Sequence, residues 1–383
     1  MCLTITDDGG EGTCGVWVSR RVDLKRFGLL ITKREVSHDV TGSHCAMHAT
    51  VAARASAPAR PRARRLRRVH TRAASEAESS PADASPSVVL GANGRTGREI
   101  VRSLLRRGIP TRACTRSGTF DARELLGDDA SGAVVPWTFP LLQPTAADVT
   151  RPETVASATR DARFVFFACT APAKGDPDAV DRTGLIEVAR ACVDNNVSRL
   201  VVISGAGVTK TNSPAYGFLN AFGGRMDAKR RGETELREVY EGARSSGGTK
   251  GVKPTYTIVR PSGLLDGPGK GAAAMAVNQG DEAAGFIDRI DVAECAVESA
   301  MNEQCANVSF EVYELGTAVP TRTLSVADIL SDPLTRTFVS VVTGSAFRGG
   351  DGQAERVKAT ERERSGCGDW STLLSGFEPS IYD

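Results

Sequence analysis

Three glycines stand between an apolar run and an amphipathic segment, in the order Gly91-Ala-Asn-Gly94-Arg-Thr-Gly97. Gly91 permits a tight turn, Gly94 lets the backbone approach a ligand, and Gly97 lets a helix pack closely on a sheet. The flanking segments predict a strand over Ser87–Leu90 and a helix over Thr96–Arg107. Because the start of such a helix offers N–H groups to an anion, the loop predicts a site for the pyrophosphate of a dinucleotide. The predicted loop residues of this site are Gly91, Asn93, Gly94, Arg95, Thr96 and Gly97.

An arginine follows the second predicted strand, where a choice between two dinucleotides is usually made. Arg116 comes directly after Thr111–Thr115, 19 residues beyond Gly97. NAD sites place an acidic residue near this position to bond the ribose 2′-hydroxyl. A guanidinium group suits a 2′-phosphate instead, and a second arginine, Arg95, lies in the loop itself. The sequence therefore predicts NADP(H) rather than NAD.

Histidine and cysteine chemistry is restricted by where these residues lie. All four histidines precede residue 71, so anything folded beyond it has no Ser-His-Asp triad, no Cys-His pair and no histidine-bound metal. The nine cysteines include no CxxC pair, and several lie in apolar stretches. This usage indicates a reducing compartment and buried thiols, and we expect no metal site.

The elements that must position these residues alternate between strand and helix. Because the predicted strands are continuously apolar, we expect a parallel sheet covered on both faces. The fold class is therefore α/β, a Rossmann-like doubly wound parallel sheet with a small C-terminal substrate lobe. A further strand is expected among the Pro-flanked runs between residues 133 and 143. The other strands are expected at Ser87–Leu90, Thr111–Thr115, Arg163–Ala168, Arg199–Ile203, Thr255–Val259 and Val308–Val312. The helices are expected at Thr96–Arg107, Thr150–Thr159, Val180–Asn195, Met226–Ser245 and Val292–Met301.

The first 86 residues differ in composition from the rest. Residues 47–75 contain eight arginines and no Asp or Glu among Ala, Ser, Thr and Pro, which is typical of an organelle transit peptide. A basic arm that binds nucleic acid is the alternative. Residues 76–86 read as a linker, and residues 1–46 as an unassigned extension. Since acidic residues outnumber basic ones beyond residue 75, we expect no nucleic-acid binding by the folded body.

The C-terminal part gives weaker signals. The NAD(P)-binding domain is expected to span residues 87–315, and residues 316–383 are expected to form a flexible, polar and Gly-rich tail. Within this tail, Trp370–Phe377 has helical apolar spacing and is expected to pack on its own domain or to dock on a partner. No apolar run approaches the length of a transmembrane helix.

A series of motifs resembles the atypical short-chain dehydrogenase/reductases of the NmrA-like, NAD(P)-binding type, many of which occur in plastids. The resemblance covers about residues 87–315, and it rests on the order of the motifs as much as on any one of them. In chain order they are GANGRTG at 91–97, ADVT at 147–150, ACTAP at 168–172, DRTG at 181–184, RLVVIS at 199–204, KRRGE at 229–233, YTIVRP at 256–261 and RIDVA at 289–293.

The resemblance implies roles for several residues beyond the loop. Asp148 and Val149 would lie beside the adenine, Ala168 beside a cofactor ribose, and Lys229 would hold the nicotinamide ribose. The family's Tyr-x-x-x-Lys pair, which supplies the proton in typical members, is incomplete, because Arg225 stands where the tyrosine would be. Ser204 remains as a candidate proton donor beside Lys229.

Two functions remain open from the sequence. The first is the NADPH-dependent reduction of a small organic substrate, with catalytic roles for Ser204 and Lys229. The second is a non-catalytic NADP(H)-binding scaffold or assembly factor within a plastid protein complex, which the missing tyrosine favours. The leader and the resemblance together predict the chloroplast, at the stroma or the membrane periphery, with the mitochondrion as the alternative.

Overall fold

The computed structural model describes residues 85–122, 141–221, 223–246, 253–322 and 362–379. All of them belong to one unit, Ser75–Asp383. The predicted extension, the predicted transit peptide and the run at 133–139 lie outside the described residues. Among the helices of the described ranges, none is long and apolar enough to cross a membrane.

Thirteen strands are formed by the described residues, and nine of them make one sheet. The strands are β1 (Ser87–Leu90), β2 (Thr111–Thr115), β3 (Leu142–Ala146), β4 (Phe164–Phe167), β5 (Arg199–Ile203), β6 (Thr255–Pro261), β7 (Gly263–Leu265), β8 (Met275–Asn278), β9 (Ala283–Ala284), β10 (Phe286–Asp288), β11 (Val308–Glu314), β12 (Val319–Pro320) and β13 (Arg364–Ser365). The order across the large sheet is β13-β8-β11-β6-β5-β4-β1-β2-β3. All pairings from β3 to β11 are parallel, and β8 and β13 extend that edge in antiparallel fashion.

Helices cover both faces of the sheet. They are α1 (Arg95–Arg106), α2 (Pro152–Ala158), α3 (Leu185–Asp194), α4 (Pro214–Asn220), α5 (Arg225–Ser245), α6 (Arg289–Met301) and α7 (Trp370–Leu373), and a π-helical turn, Asp178–Gly184, leads into α3. Successive strand residues point to opposite faces. Val89 of β1 therefore shares a core with α1 and α6, whereas Val88 shares one with α3 and α5. This arrangement confirms the predicted doubly wound α/β fold.

Two small sheets account for the expected C-terminal lobe. Strand β7 pairs in parallel with β10, and β9 pairs in antiparallel fashion with β12. Both sheets belong to the stretch between residues 263 and 320, which follows the long central strand β6.

Two boundaries near β3 differ from the predictions. The third strand spans Leu142–Ala146, so it lies after most of the runs that the sequence favours. The helix predicted to start at Thr150 begins at Pro152 and has no side-chain cap. The Thr150 hydroxyl instead donates to Asp148 at 2.7 Å, because its neighbour offers a closer acceptor than the helix terminus does.

The prediction of a flexible tail over 316–383 is wrong for residues 362–379. Strand β13 pairs with β8, and the side chains of Leu373 and Leu374 are fully buried. The ring of Phe377 stacks on Phe310 with 4.6 Å between ring centroids. The apolar spacing of Trp370–Phe377 serves packing on the domain itself. Of the two expectations for Trp370–Phe377, packing on its own domain is therefore confirmed.

Candidate functional site

The glycine loop lies where the strand order of the sheet reverses. Strand β1 pairs with β2 on one side and with β4 on the other. Gly91 follows β1 with a φ of +81°, and a Cβ atom there would lie 2.8 Å from the Ala168 carbonyl oxygen. A Cβ atom on Gly97 would lie 2.3 Å from the Gly91 carbonyl oxygen. Both positions therefore require glycine, and ligands of open α/β sheets bind at such a reversal point.

The start of α1 is left open to an anion. The helix begins after Gly94, which provides no side-chain cap, and the first turn contains no acidic residue. Its first N–H groups have no acceptor within the helix, because the first turn of any α-helix lacks one. A phosphate at this end would accept from these groups and face the positive end of the helix dipole.

A cleft of about 860 Å³ opens beside this loop. Its walls come from the loop, the end of β2, the segment after β3 and the segment after β4. The cleft brings together seven of the predicted cofactor residues: Gly91, Asn93, Gly94, Arg116, Asp148, Val149 and Ala168. Thr96 and Gly97 lie behind them in the first turn of α1.

The two arginines predicted for the 2′-phosphate are separated by the fold. Arg116 is exposed and lines the cleft directly after β2. Arg95 donates to Asp266 at 3.0 Å and lines a different cavity. Arg116 is therefore the guanidinium that faces a ligand in the cleft.

Asp148 presents an ionised carboxylate to the cleft. Its Oδ1 atom accepts from the Thr150 N–H at 3.0 Å and from the Thr150 hydroxyl at 2.7 Å. Partial burial raises the pKa of Asp148, but the bonds from Thr150 and the charges of Arg151 and Arg116 outweigh it and lower the pKa below its ordinary value. Asp148 thus acts as an acceptor, as expected of a group that bonds ribose or adenine donors.

Lys229 does not line the cleft among the described residues, and it makes an ion pair instead. Its Nζ atom lies 3.0 Å from Oδ1 of Asp181, whose side chain is fully buried. The other oxygen of Asp181 accepts from the Ala171 N–H at 2.9 Å, and Ala171 lines the cleft. The pair therefore fixes the wall after β4. Asp181 carries this contact, although the sequence marked it only as part of a motif.

The hydroxyl groups of Ser204, the expected proton donor, and of Tyr216 both lie close to carboxylates. The Ser204 hydroxyl is buried and makes no hydrogen bond among the described residues, although its proximity to the Glu233 carboxylate lowers the pKa of Glu233. The Tyr216 hydroxyl donates to Asp227, and burial followed by this bond raises the pKa of Tyr216. Neither hydroxyl group is therefore placed to donate a proton to a ligand in the cleft.

Arg225 reaches the cleft from the position of the missing tyrosine. Its guanidinium lies 3.4 Å from Oγ1 of Thr170, which lines the cleft. The side chain begins α5, one turn before Lys229. A guanidinium stays protonated, so it offers hydrogen bonds and positive charge but no transferable proton. The sequence marks Arg225 only as the residue that replaces the tyrosine, and the structure shows that its guanidinium contacts the cleft wall.

Two thiols also line the cleft. Burial raises the pKa of Cys114 and of Cys169 to about 12, so both remain protonated near neutral pH. They therefore act as small apolar groups. Among the described residues no cluster of three or more metal-ligating side chains occurs.

Comparison with known proteins places these features in a family. Residues 91–303 match the family model described as NAD(P)H-binding. An uncharacterized chloroplastic protein of Arabidopsis thaliana is 32% identical over 237 residues, which cover 59% of this chain and 75% of that protein.

Solved structures of similar fold have low identity to this chain. An oxidoreductase of Lactococcus lactis is 18% identical, with a TM-score of 0.46 over 61% of this chain and 92% of that one. An anaerobilin reductase of Escherichia coli is 21% identical, with a TM-score of 0.43 over 60% and 97%. A short-chain dehydrogenase/reductase of Veillonella parvula in complex with NADP is 16% identical, with a TM-score of 0.42 over 61% and 96%.

Proposed function

Because the chain belongs to the NAD(P)H-binding family, we propose that it binds NADP(H) in the cleft beside the glycine loop and reduces a small organic substrate there. One observation supports the cofactor assignment: the uncapped N-terminus of α1 and the side chain of Arg116 lie at the same cleft. The α1 terminus would hold the pyrophosphate, and Arg116 the 2′-phosphate. Asp148 and Val149 would border the adenine, and Ala168 a ribose.

The cofactor proposal is tested by titrating the full chain with NADPH and NADH. Charge-assisted hydrogen bonds contribute about 1.5–3 kcal/mol, so Arg116→Ala should weaken NADPH binding about tenfold to a hundredfold. Binding of NADH, which has no 2′-phosphate, should change little. The exposed Arg160, which does not line the cleft among the described residues, provides the control Arg160→Ala. Equal losses for both cofactors would contradict the assignment of Arg116.

We further propose that the reaction is reduction of a carbonyl or an activated C=C bond. Bound NADPH supplies the hydride, and the substrate oxygen takes up one proton from water. Arg225 would hold that oxygen and stabilise its developing negative charge, since its guanidinium lies beside Thr170 of the cleft wall. Lys229 would act as a positioning residue through Asp181, and Ser204 through Glu233.

Turnover is tested by following NADPH oxidation with a panel of quinones, enones and aldehydes. Arg225→Gln should lower kcat about tenfold or more and leave the Kd for NADPH within about twofold. Arg230→Gln, on the same helix, is the matched control. Lys229→Ala and Ser204→Ala are expected to raise KM and lower kcat together, as positioning residues do.

A scaffold without turnover is the second candidate, and one observation favours it. The lysine that would hold the nicotinamide ribose is engaged by a buried carboxylate, and no tyrosine precedes it at the family position. Tight NADPH binding with no oxidation of any substrate in the panel, together with co-purification of a plastid complex, would support this function over the reductase.

We propose the chloroplast as the location. The Arg-rich, acid-free segment 47–75 and the chloroplastic relative support this proposal. A fluorescent protein fused behind residues 1–86 should enter plastids. Entry into mitochondria would support the alternative, and retention in the cytosol would contradict both. The start of the domain at residue 87 remains a prediction.

A further inference from the structure

A second cavity of about 310 Å³ lies beside the cofactor cleft. It is enclosed by the first turns of α1, the segment after β7 and the start of α6. Asn93 lines both spaces, so the two are neighbours. The volume is at the lower limit for a small-molecule site. The function proposed above makes no use of this cavity.

Positive charge dominates the lining. Four arginines face two carboxylates there, and these six residues are Arg95, Arg98, Arg102, Arg289, Glu99 and Asp266. Asp266 serves two of the arginines at once, because one oxygen lies 3.0 Å from Arg95 and the other accepts from Arg289. Glu99 pairs with Arg102. Burial lowers the pKa of Arg289, and the nearby charge of Arg95 lowers it further.

The wall that carries Asp266 is held by other carboxylates. Asp288 accepts from the N–H groups of Gly267 and Gly269, both at 3.2 Å. Asp291 accepts from the Lys270 N–H at 2.8 Å. A Cβ atom on Gly267 would lie 2.3 Å from Asp288, so the turn is closely seated. Together with the pairing of Asp266 to Arg95 and Arg289, these contacts fix the wall of the cavity.

We propose that this cavity binds an oxyanion, a carboxylate or phosphate group of a small molecule that occupies it while NADP(H) fills the neighbouring cleft. Guanidinium groups suit this class because they present paired N–H donors to two oxygens of one anion. Asp266 is mostly exposed, and its carboxylate pairs with Arg95 until the ligand displaces it. The cofactor's phosphates have their own partners at the α1 terminus and Arg116.

The test uses the full chain at constant ionic strength, with calorimetric titration of tricarballylate and of inorganic phosphate in the absence and presence of saturating NADPH. Binding should persist with NADPH present. The double variant Arg98→Gln, Arg102→Gln should weaken it about tenfold or more, because it removes charge-assisted donors. Arg106→Gln is the matched control, since Arg106 is exposed on the same helix and does not line the cavity among the described residues.

A second variant separates ligand binding from a purely structural role. Asp266→Asn should tighten anion binding about threefold, because the competing carboxylate is removed. A merely structural cluster would lose stability and gain no affinity. The proposal is overturned if neither probe binds, if saturating NADPH abolishes binding, or if Arg106→Gln weakens binding as much as the double variant. Preference for tricarballylate over phosphate identifies a carboxylate ligand, and the reverse identifies a phosphate ester. Failure of cofactor binding would appear separately, in the titration with NADPH alone.

Discussion

The two ends of the cofactor cleft are built in different ways. The end formed by the glycine loop and β2 depends on backbone: Gly91 and Gly97 allow close approach, and α1 opens toward the ligand. The end near Arg225 depends on side chains that interact with buried carboxylates. Lys229 pairs with Asp181, and the Ser204 hydroxyl faces Glu233. The comparison shows that the glycine loop has the geometry expected of a phosphate site, whereas the side chains expected to transfer a proton interact with buried carboxylates.

The largest effect is expected beneath the side-chain end, at Glu233. Its carboxylate accepts from Arg260 at 2.7 Å, and both side chains are buried. Burial raises the pKa of Glu233, but the charges of Arg260 and Arg237 outweigh it and lower the pKa. Glu233→Gln would leave Arg260 without its main partner, so the free energy of unfolding should fall by about 3–5 kcal/mol. Urea denaturation measures this loss. The exposed Glu238 on the same helix gives the control Glu238→Gln, for which we expect a change within about 0.5 kcal/mol.

A slightly smaller loss of stability is expected at the backbone end, for Gly97→Ala. The added methyl group would meet the Gly91 carbonyl oxygen at 2.3 Å, so helix and loop must separate. We expect a loss of about 3 kcal/mol, together with loss of measurable NADPH binding. Gly242→Ala is the matched control, because a Cβ atom there meets nothing within 4 Å and the position is helical. If Gly97→Ala bound NADPH normally, the loop would not be the phosphate site.

The backbone end could be predicted from sequence because its chemistry is local. A strand, three spaced glycines and a helix specify the loop, and Arg116 directly follows the second predicted strand. The parallel order of the sheet followed from the alternation of apolar strands and amphipathic helices. These features need no knowledge of which distant residues meet.

The side-chain end could not be predicted for the opposite reason. The pairs that define it join residues far apart in the chain, such as Lys229 with Asp181 and Arg260 with Glu233. Likewise Arg95 was assigned to the cofactor because it lies in the loop, but Asp266 is 171 positions away and holds it elsewhere. The helical spacing of Trp370–Phe377 indicates an apolar face, but the sequence does not show that Phe377 meets Phe310.

Restoring the missing tyrosine would test whether the side-chain end of the cleft lacks only a proton donor. Arg225 and Lys229 are four residues apart on α5, so Arg225→Tyr would recreate the spacing of the family pair. If the lack of an acid limits the reaction, kcat with an aldehyde or quinone should rise about a hundredfold, the lower range for general acid catalysis. The Kd for NADPH should stay within about twofold. No gain in kcat, with NADPH still bound, would contradict the idea that the absent phenol alone limits the reaction, since Arg225→Tyr also removes the guanidinium that would hold the substrate oxygen.

The last effect concerns pH, and it distinguishes the buried charges from the open loop. Burial and the neighbouring Asp281 carboxylate raise the pKa of Glu311 from its ordinary 4.5 to about 8. Between these values the folded chain holds a proton that the unfolded chain releases, so stability should fall as pH rises from about 5 to 8. The slope is at most about 1.4 kcal/mol per pH unit for one proton, and the N–H groups of Asp281 and Glu282 narrow the pH range because they lower the pKa of Glu311.

Glu311→Gln should flatten this part of the stability profile, because the amide does not titrate. The exposed Glu303 gives the control Glu303→Gln, which should keep the slope of the wild type. Urea denaturation at several pH values supplies the data. A wild-type chain whose stability rises over this range would mean that Glu311 is ionised beside Arg260. The buried charges would then be balanced as a set, and the side-chain end would be as preorganised for its role as the glycine loop is.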